Sequence, residues 1–581
     1  MAREASNAPV TLKTGDLSQM SKNERIKVES QGLFFITEKA GTHTFRDEID
    51  ALSEDAKTIG GTAKELSKFF GIYRQQGRGD RGKKTDDHFF MVRLKLPAGG
   101  KLTPKQWAAL DDSADLFADG TLRVTSRQAI QYHHIYGPKL APLIRHLNRE
   151  YREGGTLAAC GDVNRNTMVS PIDGLDPACD PRGTDLAEAI AEELSPQTSA
   201  YFQIFLSDEE GHRGAPVNPE EPLYGAQYLP RKFKIGIAHP TDNSVDILSQ
   251  DVGYLPVPGK DGTVDGQTFD VYSGGGMGLT HNNPSTAAHL GLYLGQIPRA
   301  EAVDTARSIA ILQKENGDRK DRKQARWKYT IRRLGVDAVK EELRSRFKLS
   351  LEDAEPVPVP PMELHLGWHE QRGGGGCYGI SVESGRIKEG VRKAIRAATE
   401  QLGVSVKLTP QQDVLLCDVQ DRAALEAILA EHGVADPTTV SPARANGMAC
   451  PAKPTCGLAM TDAENILPVY FDALEAAGLG DVDVVIRMTG CPNNCARPPT
   501  AEIGIYGYGK NDHVILVGGS RENTRIGHPL YARISEEKMI PALVGLFRAI
   551  KDRSGDLPAG EFLHQADPAE LRGWVGIEDG A

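Results

Sequence analysis

Four cysteines in the last quarter of the chain fall in two tight pairs, Cys450 with Cys456 and Cys491 with Cys495. They stand in Met448-Ala-Cys-Pro-Ala-Lys-Pro-Thr-Cys456 and in Thr489-Gly-Cys-Pro-Asn-Asn-Cys-Ala-Arg-Pro498, both rich in turn formers. Four thiolates on two such loops are what an iron–sulfur cluster needs, since each iron takes one cysteine and the cluster sits between the loops. Zinc competes, because four cysteines also build a structural zinc site. The spacers of five and three residues are not the usual zinc knuckles, however. A third reading is a set of buried apolar thiols in a reduced protein.

Positive charge recurs on segments that read as strands or turns. Arg93 and Lys95 alternate along one strand, as do Arg123 and Thr125 with Arg127 beyond them, and a period of two puts each set on one face. Asn164-Arg165-Asn166 follows a turn at Cys160-Gly-Asp162, and Arg231-Lys232-Phe-Lys234 adds another alternating pair. Singly, each reads as solvent-facing charge. Together they suit a site that neutralises a multiply charged anion, because guanidinium and ammonium groups supply converging charged donors. The glycines Gly274, Gly275, Gly276 and Gly278 could cradle a phosphate or allow close approach to a flat cofactor, but they lack the dinucleotide fingerprint and no P-loop lysine follows. No flavin or nicotinamide motif is present, so electrons for a redox reaction would come from another protein. The basic stretch 78–84 reads as a solvated loop rather than a docking patch.

These residues need a large scaffold. At 581 residues the chain calls for three to four domains. Its net charge of −11 argues against non-specific nucleic-acid binding as a whole-molecule property. No apolar run approaches a membrane span, and the first residues have no apolar leader. Eight cysteines are too few for a disulfide-built fold of this size, which points to a cytoplasmic protein with reduced thiols.

Residues 1 to about 60 read as an arm with helical patches at 21–31 and 44–51, followed by a helix at 63–71. A strand at 88–96, a helix at 103–117 opened by a Thr103/Gln106 capping box, and a strand at 121–133 form a first unit. A second unit repeats it with a strand at 378–382, a helix at 389–402 and a strand at 404–416. Gly100 to Arg123 spans 23 residues and Gly385 to Lys407 spans 22, and Arg123-Val-Thr-Ser-Arg-Gln128 lines up with Lys407-Leu-Thr-Pro-Gln-Gln412. The match predicts an internal duplication whose copies pack as a pseudo-symmetric pair. Between them, a helix at 185–194, strands at 200–206, 233–237 and 245–247, and helices at 300–315 and 319–334 are predicted, closed by the Pro-rich linker 356–361. The last domain, from near Ser441, places a helix at 462–477 and a strand at 482–488 between the cysteine pairs.

With these residues in hand, the chain resembles the sulfite/nitrite reductase family, particularly its assimilatory, ferredoxin-dependent sulfite reductase haemoproteins. The resemblance rests on Cys160-Gly-Asp-Val-Asn-Arg-Asn166, Leu229-Pro-Arg-Lys-Phe-Lys234, Gly274-Gly-Gly-Met-Gly278, Asp321-Arg-Lys-Gln-Ala-Arg326 and both cysteine motifs. It implies an α+β fold, with a duplicated ferredoxin-like (parachute) module at the centre and two larger α/β domains related by pseudo-two-fold symmetry. The implied division is an arm at 1–85, half-domains at 86–158 and 356–438, a sirohaem- and substrate-binding domain at 159–355, and a cluster domain at 439–581.

The resemblance also implies a [4Fe–4S] cluster on Cys450, Cys456, Cys491 and Cys495, with Cys495 shared with a sirohaem iron. It implies six-electron reduction of sulfite to sulfide in sulfate assimilation, with ferredoxin delivering single electrons to a monomer. Arg93, Arg165, Lys232 and Lys234 would bind sulfite and deliver protons. Arg123, Thr125, Arg127, Gln131, His133, Asn164, Gly274, Gly275, Gly276, Arg322 and Lys323 would meet the sirohaem. Asn494 stands where many relatives carry glycine. Tyr73 and Cys160 fall where some members form a covalent Tyr–Cys link; the other reading is a hydrogen-bonded tyrosine beside an unmodified thiol. The alternatives are a ferredoxin–nitrite reductase and, from a different class, a non-catalytic electron-transfer or zinc-stabilised scaffold protein.

Overall fold

A computed structural model describes residues 17–30, 35–38, 41–53, 57–78, 84–151, 155–197, 221–225, 227–259 and 262–577. The strand expected at 200–206, most of the basic stretch 78–84 and the end of the helix at 21–31 lie outside these residues.

The duplication is visible strand by strand. In the first copy, Ile72–Arg78, Lys84–Arg93, Ile130–Ile135 and Leu122–Val124 form an antiparallel sheet, with the helices Pro104–Phe117 and Gly137–His146 completing the unit. In the second, Gly367–Glu370, Gly376–Ile380, Val414–Val419 and Ser405–Leu408 repeat that order, with the helices Glu389–Leu402 and Arg422–Glu431. The segments expected as single strands at 121–133 and 404–416 are therefore each a hairpin. The reason is a tight turn at matching places, where Gln128 and Gln412 adopt φ of 51° and 77°. Periodicity does not register so short a reversal between two apolar runs.

The two turns lock the copies together reciprocally. Gln128 Nε2 donates to the Leu408 carbonyl at 3.0 Å, and Gln412 Nε2 donates to the Val124 carbonyl at 3.3 Å. Gly99 and Gly385 show why glycine sits beside them: a Cβ there would stand 2.5 Å from the Leu408 oxygen and 2.6 Å from the Val124 oxygen respectively. Arg386–Ile387 of the second copy also pairs with Leu122–Arg123 of the first.

The two larger sheets obey the same symmetry. Met168–Val169, Ile235–Ile237, Val252–Pro256, Thr268–Ser273 and Leu292–Pro298 pair parallel, parallel, antiparallel, antiparallel. Gly447–Ala449, Ile486–Thr489, Ile503–Gly509, Asp512–Val517 and His528–Ser535 do the same. One apolar core runs through the arm, both copies and the first large sheet; a second fills 443–575.

Local chemistry explains where the elements start. Thr103 caps the helix Pro104–Phe117, with the Gln106 N–H on Thr103 Oγ1 and Gln106 Oε1 on the Thr103 N–H, worth about 1 kcal/mol. Two further expectations fail. Residues 245–247 are no strand, because Asp246 takes φ 60° and starts a 3-10 turn at Ile247–Ser249. The helix expected over 319–334 begins only at Trp327, since Asp318 and Asp321 bond the backbone N–H groups two or three residues on and hold 318–323 as turns. No helix among the described residues is long and apolar enough to cross a membrane.

Candidate active site

Both cysteine loops grow from the parallel strands of the second large sheet: Gly447–Ala449 leads into Cys450 and Ile486–Thr489 into Cys491. Strand ends are rigid platforms, so the loops inherit a fixed separation. The Gly490 N–H donates to Cys450 Sγ at 3.4 Å and Asn493 Nδ2 to Cys491 Sγ at 3.5 Å. Burial and then Cys495 push the Cys450 thiol well up, and the same causes push Cys491 up to about 12. Burial likewise raises Cys456, with Cys495 adding to it; a positively charged iron–sulfur core would reverse that balance and hold these buried thiols as thiolates. The donor set thus fits a [4Fe–4S] cluster.

The second loop is clamped from two sides. The turn of the first copy reaches it through Ser126 Oγ, which donates to the Cys495 carbonyl at 2.9 Å, while Arg497 Nη1 returns a bond to the Ser126 carbonyl at 2.9 Å. The glycine loop covers its other side: Leu279 N–H donates to Pro492 O, and Asn494 Nδ2 to Met277 O at 3.0 Å. Asn494 takes φ 51°, a left-handed position that glycine favours and asparagine tolerates better than most residues. A Cβ on Gly275 would lie 2.1 Å from Leu248 O, so this glycine run serves close backbone packing.

Facing the loops is a field of cations. Arg93 donates through Nη1 to Cys160 Sγ at 3.2 Å and stands 5.9 Å over the Tyr73 ring. With its amide turned to suit its neighbours, Gln131 accepts from Arg93 Nε at 3.1 Å and so orients that guanidinium from the adjacent strand. Arg165 Nε donates to Gly161 O at 3.0 Å. Burial, followed by Arg326 and Arg231, pulls the Lys232 ammonium down to about 7. Burial and Lys232 hold Lys234 well below the ordinary lysine range. Cys495 contributes to the electrostatics of both Arg93 and Lys232, so these cations and this cysteine share one space.

The structure brings Tyr73, Arg93, Cys160 and Arg165 together: burial and Cys160 push the Tyr73 hydroxyl up to about 12, with Arg165 and Arg93 opposing. Arg127 lies across the same space, bonding Gln250 Oε1 at 2.7 Å, and burial beside Arg497 and Arg165 lowers it to about 9. Thr125 Oγ1 accepts from the N–H groups of Arg127 and Ala129, shaping the turn that carries Arg127. Asn164 Nδ2 reaches Thr167 Oγ1 at 3.4 Å.

Other residues are directed elsewhere. Arg123, 1% exposed, pairs with Glu464 at 2.8 Å and donates to Ser384 O and Ala449 O, tying the first copy to the strand before Cys450. His133 Nδ1 meets Arg386, which also binds Glu464. Arg322 grips Asp162 with both terminal nitrogens at 2.9 and 3.0 Å, and Lys323 is exposed. Lys95 leaves the Arg93 face: beyond the strand end its ammonium runs to Ser195 Oγ at 2.9 Å.

Sequence reasoning passed over Arg326 and Arg497. Among the described residues, Arg326 binds Asp251 at 3.1 Å and keeps its Nε unpaired, as Arg127 does, while Arg497 pairs with Asp246 and leaves Nη2 unpaired. Three buried guanidinium donors without partners among the described residues, around a common space, fit a polycarboxylate ligand such as sirohaem. Their signal lay in the motifs themselves, since Arg326 ends one and Arg497 sits two residues past Cys495.

A duplicated half-ferredoxin module, a four-thiol site and a cationic face define a sirohaem- and cluster-bearing oxidoreductase, and the chain belongs to the nitrite and sulfite reductase family. Family models match the nitrite and sulphite reductase 4Fe-4S domain at residues 160–351 and the ferredoxin-like half domain at residues 81–150. The chain is 37% identical to the ferredoxin sulfite reductase of Synechococcus elongatus, over 95% of this chain and 90% of that one. It is equally 37% identical to the NADPH sulfite reductase hemoprotein beta-component of Geobacillus kaustophilus, over 96% and 97%. The solved NirA protein of Mycobacterium tuberculosis shares the fold, with a TM-score of 0.73 and 22% identity over 91% of this chain and 95% of that one.

Proposed function

We propose that this protein reduces sulfite to sulfide with six electrons from reduced ferredoxin, using a [4Fe–4S] cluster that Cys450, Cys456, Cys491 and Cys495 would hold and a sirohaem to which Cys495 would also serve as ligand. The observation that carries the reading is that the Cys491–Cys495 loop is held on one side by Ser126 and Arg497 and on the other by the glycine loop at Met277, in the space that Arg93 and Lys232 share with Cys495. When bound, the cluster and the sirohaem would supply the one-electron redox chemistry that the reduction of sulfite requires.

The protein's own part is electrostatic and protonic. Arg93, Arg165, Lys232 and Lys234 hold the dianion by its oxygens, and fixed cations favour the departure of each oxygen because charge builds there. Each oxygen leaves as water and takes two protons, so a donor near neutrality is needed. Lys232, at about 7, is the group matched to that task. Gln131 and Cys160 fix the Arg93 guanidinium, and Tyr73 beneath it closes the wall. Arg127, Arg326, Arg497 and Asn164 receive the sirohaem carboxylates.

Ferredoxin as donor is supported by the Synechococcus relative; a separate NADPH-linked flavoprotein is the second reading, supported by the Geobacillus relative. Turnover of the purified holoenzyme on sulfite and nitrite, with reduced ferredoxin or an NADPH–flavoprotein, tests both points. A higher kcat/KM for sulfite with ferredoxin is expected. A large preference for nitrite would overturn the substrate, and turnover only with the flavoprotein would overturn the donor. A colourless, zinc-containing sample would refute the enzyme reading altogether. Normal sulfite reduction by Cys495→Ser would refute the bridge.

A further inference from the structure

The helix Lys22–Glu29 lies far in sequence from every cation of the site, yet it buries charge beneath it. Glu24 and Lys27 are only 1% and 2% exposed. A buried ammonium is costly unless it is paired and hydrogen-bonded, so its partners are informative. Lys27 Nζ donates to Glu24 Oε1 at 2.5 Å, to Asp162 Oδ2 at 3.3 Å and to the Leu229 carbonyl at 2.8 Å. Glu24 is held in turn by Arg319 at 2.5 Å.

Asp162 and Leu229 are where the two cation-bearing segments first touch. The Leu229 N–H donates to Asp162 O at 2.9 Å, the Phe233 N–H to Val163 O at 3.0 Å, and the Arg165 N–H to Phe233 O at 2.8 Å. Asp162 lies three residues before Arg165 and Leu229 three before Lys232. One ammonium therefore grips both segments at the point from which they run together to the anion site.

We propose that Lys27, oriented by Glu24, is a positioning residue for sulfite, setting the spacing between the Arg165 segment and the Lys232–Lys234 segment without touching the anion. The inference rests on the reading that sulfite binds these cations. Arg322 makes a second bridge between the same two segments, from Asp162 to Pro230 O, but it is half-buried; Lys27 is the fully buried bridge and the one that reaches Leu229 O, so its loss removes one of two charged links and not both.

The test is an absorption-monitored sulfite titration of the full-length holoenzyme, with melting temperature and amide hydrogen exchange measured alongside. Lys27→Met is expected to weaken sulfite binding about tenfold, as loss of one charged bridge implies. It should raise KM more than it lowers kcat and speed exchange in 160–166 and 229–234. Lys27→Arg is expected to return the affinity to within about threefold of wild type. Lys27→Met that melts earlier but binds sulfite like wild type would overturn the proposal and leave Lys27 a purely structural residue. Should Lys27→Met not fold, Lys27→Gln decides the same question by the same readouts. If wild type itself binds no sulfite, the functional reading fails; the clamp still fails separately if exchange in the two segments is unchanged by the substitution.

Discussion

Lys232 should make anion binding take up a proton. Among the described residues its ammonium has no hydrogen-bond or ion-pair partner, and burial with Arg326 and Arg231 lowers it from 10.5 to about 7. At 1.36 kcal/mol per pH unit, that displacement represents about 5 kcal/mol of disfavoured charge. An anionic oxygen about 4 Å away contributes about 4 kcal/mol at an effective dielectric of 20, so a bound anion largely restores the protonated form. The sign follows. Free Lys232 is about half protonated at pH 7 and mostly neutral by about pH 8, whereas the complex keeps its proton. Affinity is therefore expected to be flat below about pH 6 and to fall toward tenfold per pH unit above about 7. Without an anion, the unfolded chain binds the proton more tightly, so Lys232 also makes stability rise with pH between about 7 and 10.5.

Nitrite, which stays ionised over this range, is the probe for absorption titrations from pH 6 to 9, with calorimetry in two buffers to count protons. Lys232→Met should bind more weakly near pH 7 and lose most of the slope. Removing Lys232 also lifts one of the causes that lower Lys234, so the remaining lysine holds its proton to higher pH. Parallel pH profiles for wild type and Lys232→Met would refute the argument.

Glu464→Gln removes the carboxylate shared by buried Arg123 and Arg386; a loss of about 3–5 kcal/mol is expected, read as an earlier urea transition with lower iron content. An unchanged transition would mean that other groups hold the first copy against the cluster loop. Gly275→Ala should fail to load cofactor normally, because its Cβ meets backbone oxygens at 2.1 and 2.6 Å that cannot move aside, and iron analysis with the visible spectrum checks this. A Tyr73–Cys160 bond would lower the intact mass by two hydrogens, and Tyr73→Phe should restore the unlinked value; an unlinked wild-type mass removes the idea.

Much of the proposed site could be read from the sequence because its chemistry is local there. The cysteine pairs, Arg165 within Asn-Arg-Asn, and the Lys232–Lys234 alternation each declare themselves in a few residues. The duplication was legible too, since Thr125 and Gln128 recur as Thr409 and Gln412, and those glutamines prove to be the reciprocal lock. What the sequence hid is how each charge is partnered. Arg93 and Lys95 sit two residues apart, yet the strand ends between them and their side chains diverge. Arg123 and Arg127 share a face by period, but the turn at Thr125–Gln128 sends one to Glu464 and the other to Gln250.

The sequence by itself determined the chemistry available: four thiols on two loops, an excess of cations on extended segments, and a repeated scaffold to hold them. Only the tertiary structure decided which cations face the thiolates and which are neutralised within the protein. The physical reason is that a buried charge is defined by its neighbours, and those neighbours come from segments up to several hundred residues away: Arg123 from Glu464, Arg497 from Asp246, Lys27 from Asp162 and Leu229.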